Sequence, residues 1–205
     1  MITIVNIDIG NVGSIVNMLR RIGVRTLISD IPDDISQAEK LILPGVGAFG
    51  AGMEGLKRKG LVEALTEAVM QRQVPILGVC LGMQLLAESS KEASCPGLGW
   101  IRGKVVRLRP EDRYLRVPHM GWNTVKPIPG AALFDPTADE PRFYFAHSFY
   151  MDCADRVDVV AEATYGFTFP VAVQKRNVFG VQFHPEKSHR FGREVLRRFS
   201  EFSIC

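Results

Sequence analysis

The sequence predicts an α/β fold: an open, mostly parallel central sheet flanked by helices, with antiparallel β hairpins added in the C-terminal half. The first 80 residues contain three unbroken apolar runs, which are typical of strands buried on both faces of a parallel sheet. Segments with helical periodicity separate these runs. After about residue 98 the apolar segments become short and are bounded by Gly, Pro and Asp, which is typical of hairpins and meanders.

The N-terminal half predicts a repeating strand–helix order. The predicted strands occupy residues 2–7, 24–29, 40–45 and 74–80, of which the second is the weakest. The predicted helices occupy residues 14–23 and 60–73. Because strands and helices alternate, the pattern favours parallel pairing with right-handed crossovers.

The C-terminal half predicts β segments and one closing helix. The β segments are residues 100–108, 119–127, 142–151, 157–163, 170–176 and 178–184. An amphipathic helix is predicted over 188–202. We find no repeat, low-complexity tract or linker, so residues 1–205 are predicted to form a single domain.

Composition and charge exclude several classes of function. Apolar residues make up 46% of the chain and the net charge is +3, so neither a nucleic acid nor a membrane is expected as a partner. No signal-peptide pattern and no bilayer-length apolar run occur, so we expect a cytoplasmic location. Cysteines at positions 80, 95, 153 and 205 lack zinc-site or disulfide spacing, and we expect no metal or cofactor.

Residues 78–82 read GVCLG, which is the spacing of a nucleophile elbow with a thiol at its centre. A tight strand-to-helix turn presents its central residue at the carboxyl edge of the sheet, and flanking glycines let the two elements close around it. The first helical N–H groups favour a thiolate, and the N–H of Leu81 is placed to donate to an oxyanion. Cys80 is therefore a candidate nucleophile, although the pattern alone fits a buried structural cysteine equally well.

A predicted strand ends at His184 in the stretch VFGVQFHPEKS (178–188). A cysteine nucleophile needs a base that takes its proton and later gives a proton to the leaving group. Histidine is suited to these transfers because its pKa lies near neutral pH. A carboxylate such as Glu186 orients the imidazole and stabilises its protonated form. Taken by itself, His184 is better explained as a histidine that makes a structural hydrogen bond. The presence of Cys80 at a second predicted strand end favours the catalytic interpretation.

The loop over 44–47, PGVG, offers backbone groups in place of side chains. Its glycines allow close approach, and its consecutive N–H groups can bind an anion. It lacks the Lys and Ser/Thr of a phosphate-binding loop, so a second oxyanion donor is the better interpretation.

The stretches GVCLGMQLLAES, PGVGAFG and GVQFHPEKS resemble the class I (triad) glutamine amidotransferases. That resemblance implies a Cys–His–Glu triad that releases ammonia from L-glutamine through a γ-glutamyl thioester, with Cys80 as nucleophile, His184 as base and Glu186 as orienting carboxylate. It assigns the oxyanion hole to Val46 and Leu81. Its substrate-binding positions fall on Gly45, Gly47, Gln84, Glu92 and Ser148.

Two more stretches, VPHMGWNTV (117–125) and FYFAHSFYM (143–151), are similar to the glutaminase subunits of imidazole glycerol phosphate synthases, which act in histidine biosynthesis. This similarity implies a heterodimer in which ammonia passes to a (β/α)₈-barrel cyclase subunit. The partner-facing positions fall on Asn11, His119, Trp122, Asn123, Tyr144 and Lys187. Trp122 and Tyr144 could also be core aromatics, and Lys187 a solvated charge.

The stretch DIGNVGS (8–14) departs from the family pattern, either by lacking two residues or by a rebuilt loop, and Ile9 stands where Tyr is usual. This leaves open a related branch that supplies ammonia to a barrel homologue, which amidates nucleotide sugars for surface polysaccharides. A stand-alone cysteine hydrolase and a scaffold with a dead site are further alternatives. The presence of all three triad residues argues against the scaffold.

Overall fold

The computed structural model describes residues 1–203, so position 205, one of the four cysteines, lies outside the described residues. The helices are α1 (Val12–Arg21), α2 (Pro32–Ser36), α3 (Phe49–Arg58), α4 (Leu61–Thr66), α5 (Leu81–Leu85) and α6 (His189–Glu201). The strands are β1 (Ile2–Val5), β2 (Thr26–Ser29), β3 (Leu41–Gly45), β4 (Ile76–Cys80), β5 (Ala87–Ser90), β6 (Ile101–Arg107), β7 (His119–Pro127), β8 (Arg142–His147), β9 (Phe149–Cys153), β10 (Val159–Thr164), β11 (Thr168–Lys175) and β12 (Val178–Val181).

A nine-stranded sheet in the order β2-β1-β3-β4-β12-β11-β10-β7-β8 forms the centre of the fold. The five strands from β2 to β12 are parallel, and the remaining neighbours pair antiparallel. This arrangement confirms the predicted open, mostly parallel sheet with antiparallel hairpins added from the C-terminal half.

Apolar side chains cover both faces of the parallel strands, as the unbroken apolar runs predicted. In β3, Leu41 and Leu43 join the layer that contains α2 to α5, whereas Ile42 joins the layer that contains α1 and α6. All three side chains are fully buried. Burial on both faces holds the carboxyl ends of β3, β4 and β12 rigidly at one edge of the sheet.

A second, three-stranded sheet in the order β5-β6-β9 was not predicted as a separate layer. The apolar segment 142–151 was predicted as one element, but it divides at Ser148 into β8, in the large sheet, and β9, in the small one. Strand β5 was also missed, because its AESS sequence carries no apolar pattern. Its β character comes from pairing with β6, a distant contact that local sequence does not encode.

Helix α3 was likewise missed, because its sequence FGAGMEGLKR contains three glycines that lower helix propensity. Those glycines serve packing. A Cβ on Gly52 would approach the Leu85 side chain to 3.0 Å, and one on Gly55 would come within 3.2 Å of the Ile7 carbonyl oxygen. The predicted helix over 60–73 is α4 followed by a π-helical turn at Glu67–Gln71.

The closing helix α6 is tied down at its carboxyl end by Lys40, which immediately precedes β3. The Lys40 Nζ donates hydrogen bonds to the carbonyl oxygens of Phe199, Ser200 and Phe202, at 3.0, 2.7 and 2.7 Å. These are carbonyls that a helix end leaves without intrahelical partners. None of the helices in the described part of the chain combines the length and apolar character needed to cross a bilayer.

Candidate active site

Cys80 ends β4 and precedes α5, with φ +54° and ψ −109°. Such a backbone conformation is strained for a residue with a side chain, and it turns the thiol out at the carboxyl edge of the sheet. The neighbouring glycines make this turn possible. A Cβ on Gly78 would lie 2.6 Å from the Gly82 carbonyl oxygen, and one on Gly82 would overlap the carbonyl oxygen of Leu43.

The His184 imidazole lies between the Cys80 thiol and the Glu186 carboxylate. Its Nδ1 is 2.9 Å from Glu186 Oε1, and the side chains of both residues are almost fully buried. Burial alone lowers the pKa of His184, but hydrogen bonding to Cys80 and Glu186, together with their negative charge, outweighs it and raises the pKa. The raised pKa favours the imidazolium form of His184 near pH 7, which places a proton donor beside the sulfur of Cys80.

Ser188 fixes the backbone of the catalytic strand end. Its Oγ donates to the His184 carbonyl oxygen at 2.6 Å and accepts from the Tyr144 N–H at 3.0 Å. The His184 N–H in turn donates to the Tyr144 carbonyl oxygen at 2.9 Å. Ser188 is fully buried, and its role was not predicted from the sequence. The one sequence feature that could have indicated this role is its position four residues after His184.

A cavity of about 200 Å³ opens beside Cys80. Six of the predicted oxyanion and substrate residues line it together with the thiol: Val46, Gly47, Leu81, Gln84, Glu92 and Ser148. The lining residues that sequence reasoning missed are Pro118, Ala146, His147 and Phe149. A larger depression of about 430 Å³ beside α6 contains no triad residue, so the cavity at Cys80 is the candidate substrate site.

The predicted oxyanion donors come from two different elements that line the cavity with the thiol. Leu81 is the first residue of α5, so its N–H has no partner within the helix. Val46 and Gly47 are exposed in the loop that follows β3. Gly45 is the predicted substrate residue that does not line the cavity: it lies at the end of β3, where a Cβ would meet the Leu81 side chain at 3.0 Å.

Gln84 and Glu92 each make a hydrogen bond that joins two walls of the cavity. The Gln84 Nε2 donates to the Phe149 carbonyl oxygen at 2.9 Å. The Glu92 Oε2 accepts from the Phe49 N–H at 2.9 Å, at the start of α3. These bonds connect β9 to α5, and the segment after β5 to α3, around the site.

His119 and His147 form a buried pair in one wall of the cavity. His147 Nδ1 donates to the Phe149 carbonyl oxygen at 2.8 Å, so its Nε2 must accept from His119 Nδ1, 3.0 Å away. His119 Nε2 then faces the Asn123 amide at 3.4 Å. Burial lowers the pKa of His119 to about 4 and that of His147 to about 3, so both rings are neutral near pH 7.

The predicted partner-facing residues divide into an exposed group and a buried one. Trp122 is 42% exposed and stacks on His189 with ring centroids 5.3 Å apart, and Lys187 Nζ lies 5.5 Å from the centre of the Tyr144 ring. Asn11 and Asn123 are half-buried. His119 departs from the expectation, because it is only 3% exposed and is stacked between Phe145 and Tyr165.

Across residues 1–203, no group of three or more His, Cys, Asp or Glu side chains is arranged to hold a metal ion. Cys95 and Cys153, the other described cysteines, are half-buried and free. Burial raises the pKa of the Cys153 thiol to about 12, which makes it a poor nucleophile.

Comparison with known proteins identifies the family. A sequence model for "Glutamine amidotransferase class-I" matches residues 4–201. The chain belongs to the class-I glutamine amidotransferase family. Two similar relatives are imidazole glycerol phosphate synthase subunit HisH 2 of Pseudomonas aeruginosa and subunit HisH of Bdellovibrio bacteriovorus. The first is 50% identical over 98% of this chain and 99% of the relative; the second is 45% identical over 98% and 100%.

Solved structures agree with this family at the level of fold. A structure described as a glutamine amidotransferase superposes with a TM-score of 0.76 at 19% identity, covering 97% of each chain. A structure described as PurLQS from Thermotoga maritima gives a TM-score of 0.75 at 18% identity, covering 98% of this chain and 97% of that one. These structures confirm the predicted fold, and the family match confirms the predicted enzyme class.

We predict that Gly82→Ala destabilises the protein by more than about 3 kcal/mol, because the added Cβ would overlap the Leu43 carbonyl oxygen. Urea denaturation measures the change. Gly13→Ala is the matched control: it lies in α1 with open space around its Cβ and should gain up to about 1 kcal/mol. A Gly82→Ala protein as stable as the unaltered one would contradict the packing argument.

We predict that His119→Gln makes the free energy of unfolding less sensitive to acid. The folded protein keeps His119 neutral down to about pH 4, whereas the same residue of the unfolded chain takes up a proton below about pH 6.5. The free energy of unfolding therefore decreases as the pH is lowered from about 6.5 to about 4. The unaltered protein should lose up to about 3 kcal/mol more than the variant over that range.

Urea denaturation at a series of pH values checks this prediction. Glutamine at position 119 retains an amide N–H for His147 but does not titrate. Parallel curves for the unaltered protein and His119→Gln would show that the buried ring does not couple folding to protonation.

Proposed function

We propose that the chain is the glutaminase subunit of an imidazole glycerol phosphate synthase, which supplies ammonia to histidine biosynthesis. The observation that carries this proposal is identity of 45–50% to subunits of that synthase over 98% of the chain. Both relatives are named as subunits of that synthase, so a partner is part of the proposal. The partner proposed here is a (β/α)₈-barrel cyclase that forms a heterodimer with the chain in the cytoplasm.

The proposed reaction begins with attack of the Cys80 thiolate on the side-chain carbonyl of glutamine. The N–H groups of Val46 and Leu81 stabilise the oxyanion that forms. The imidazolium of His184 gives its proton to the departing nitrogen, and ammonia leaves a γ-glutamyl thioester on Cys80. His184 then takes a proton from water, which hydrolyses the thioester to glutamate, and Glu186 stabilises the imidazolium in each step.

The proposed partner surface is the cluster of Trp122, Tyr144 and Lys187, with His189 stacked on Trp122. Two further exposed apolar residues, Val46 and Met120, support it, being 48% and 63% exposed. Tyr144 also pairs with His184 through backbone hydrogen bonds, so a partner that binds this cluster would contact the catalytic strand end directly. Exposed apolar residues beside a catalytic edge are typical of an interface.

A second candidate differs only in the ammonia acceptor, which would be a nucleotide sugar on a barrel homologue. The structural observation that favours it is the position of the unusual stretch DIGNVGS. A Cβ on Gly10, in that stretch, would lie 3.5 Å from the backbone of Gly45, so the altered loop abuts the predicted oxyanion loop. A different partner would therefore explain a change at this position. Purification of the complex and identification of the bound subunit decides between the two.

We predict that Cys80→Ala abolishes ammonia release from glutamine, with a loss of at least about a thousandfold in kcat. Synthesis by the complex should persist when free ammonia is supplied, because the partner's chemistry does not need the thiol. Glutamate release and product formation are measured separately. Cys153→Ala is the matched control, since it removes a thiol distant from the triad and should leave glutaminase activity intact.

Retained glutaminase activity in Cys80→Ala would show that the nucleophile is misassigned. Full activity of the unaltered chain on glutamine without any partner would favour the stand-alone hydrolase. We expect low activity alone and a large increase in the complex, because uncoupled hydrolysis wastes glutamine.

We predict that Trp122→Ala and Lys187→Ala each weaken partner binding by about tenfold or more, because tryptophan is a frequent interface hot spot and Lys187 lies over the Tyr144 ring in the same cluster. Titration calorimetry with the purified barrel subunit measures the dissociation constant. The matched controls are Val157→Ala and Lys57→Ala, which replace exposed residues outside the cluster. Equal affinities for all four variants would place the interface elsewhere.

A further inference from the structure

The side-chain amide of Gln182 lies against the sulfur of Cys80, on an approach separate from that of His184. Its Nε2 is 3.7 Å from Cys80 Sγ. Gln182 is completely buried, and its backbone N–H donates to the Val171 carbonyl oxygen at 2.8 Å, which anchors it to β11. A buried amide in contact with the nucleophile needs an explanation beyond packing, since a polar group there costs free energy unless it is hydrogen-bonded.

The orientation of this amide follows from its neighbours. Gln84 faces the Phe149 carbonyl oxygen, which can only accept, so the end of Gln84 at that contact is its NH₂ group. The second hydrogen of that group is directed to the Gln182 side chain 3.0 Å away, which must therefore present its oxygen there. The NH₂ group of Gln182 is thereby left facing the sulfur of Cys80.

We infer that Gln182 is a further catalytic residue, which donates an N–H to the sulfur of Cys80 and stabilises the thiolate. This inference rests on the proposed function of Cys80 as nucleophile. A thiolate accepts hydrogen bonds more strongly than a thiol, so a fixed donor favours ionisation of Cys80. Gln84 acts as a positioning residue, because its bond to Gln182 prevents the amide from turning its oxygen toward the negative sulfur.

The position of Gln182, two residues before His184, explains why one segment of the chain can supply both the base and the N–H donor to Cys80. Side chains two residues apart in an extended segment point to the same side. A Cβ on Gly180 would lie 2.7 Å from the Met83 side chain, so this side faces α5. The chain bends at residues 182–183, directly after β12, and the side chains of Gln182 and His184 both contact Cys80 from there.

The test is the pH dependence of Cys80 alkylation by iodoacetamide in Gln182→Met, read by mass spectrometry of the peptide that contains Cys80. Methionine has a similar length and no N–H. We expect the midpoint of the alkylation profile to rise by about one pH unit, which is a roughly tenfold loss of reactive thiolate below the midpoint. The glutaminase kcat of the complex should fall in the same proportion.

Asn177→Leu is the matched control, because it also removes a buried amide. Asn177 Nδ2 donates to the carbonyl oxygens of Val69 and Val74, beyond the opposite end of β4 from Cys80. This variant should lose stability but leave the alkylation midpoint unchanged. A midpoint in Gln182→Met within about 0.3 unit of the unaltered protein would overturn the inference.

Two further measurements cover the case in which Gln182→Met does not fold. Gln182→Leu is expected to give the same shift in the midpoint. In the unaltered protein labelled with ¹⁵N-glutamine, the Gln182 side-chain amide resonance should move with pH at the alkylation midpoint, and a resonance that does not move would overturn the inference. Alkylation requires neither glutamine nor a partner, so failure here is distinguishable from failure of the proposed function.

Discussion

Parallel pairing of β4 with β12 is the constraint on which the site depends. Gly78 and Val79 lie in register with Gly180 and Val181, so two segments that are distant in sequence end side by side at one edge of the sheet. The strained turn at Cys80 and the bend that leads from β12 to His184 both start from this register. A slip of one residue would exchange the faces of β12 and point Gln182 and His184 away from α5.

The electrostatics of the site depend equally on burial. Glu186 Oε2 is buried and, within residues 1–203, has no hydrogen-bond partner. A buried oxygen without a partner costs free energy, and the hydrogen bond of the other carboxylate oxygen with His184 Nδ1 is the contact that offsets this cost. Burial lowers the pKa of His184, but its hydrogen bonds to Cys80 and Glu186 and the charge of these partners outweigh burial and raise that pKa. His119 and His147, which have no such neighbours, are kept neutral by the same burial.

The triad candidates and the parallel half of the sheet could be predicted from local sequence, because short contiguous segments of the chain determine both. The G-x-C-x-G spacing reflects contacts at Gly78 and Gly82 that lie within a few residues of Cys80 or on the adjacent β3. Other features depend on chain segments that meet only after folding. Strand β5 exists through its pairing with β6, and Ser188 and Gln182 acquire their roles from contacts with β8, α5 and Cys80. His119 was placed at the surface by family resemblance, whereas aromatic stacking encloses it.

Helix α6 is fastened at both ends to the strands that carry the chemistry. Its first residue follows Ser188, whose hydroxyl donates a hydrogen bond to the carbonyl oxygen of His184. Its last turn accepts hydrogen bonds from Lys40, which directly precedes the strand that leads to the oxyanion loop. The helix therefore links the backbone at His184 to the start of the strand that leads to the predicted oxyanion loop. Loss of the Lys40 hydrogen bonds would therefore free the last turn of α6, and the disturbance would reach the carbonyl of His184 through Ser188 at the other end of the helix.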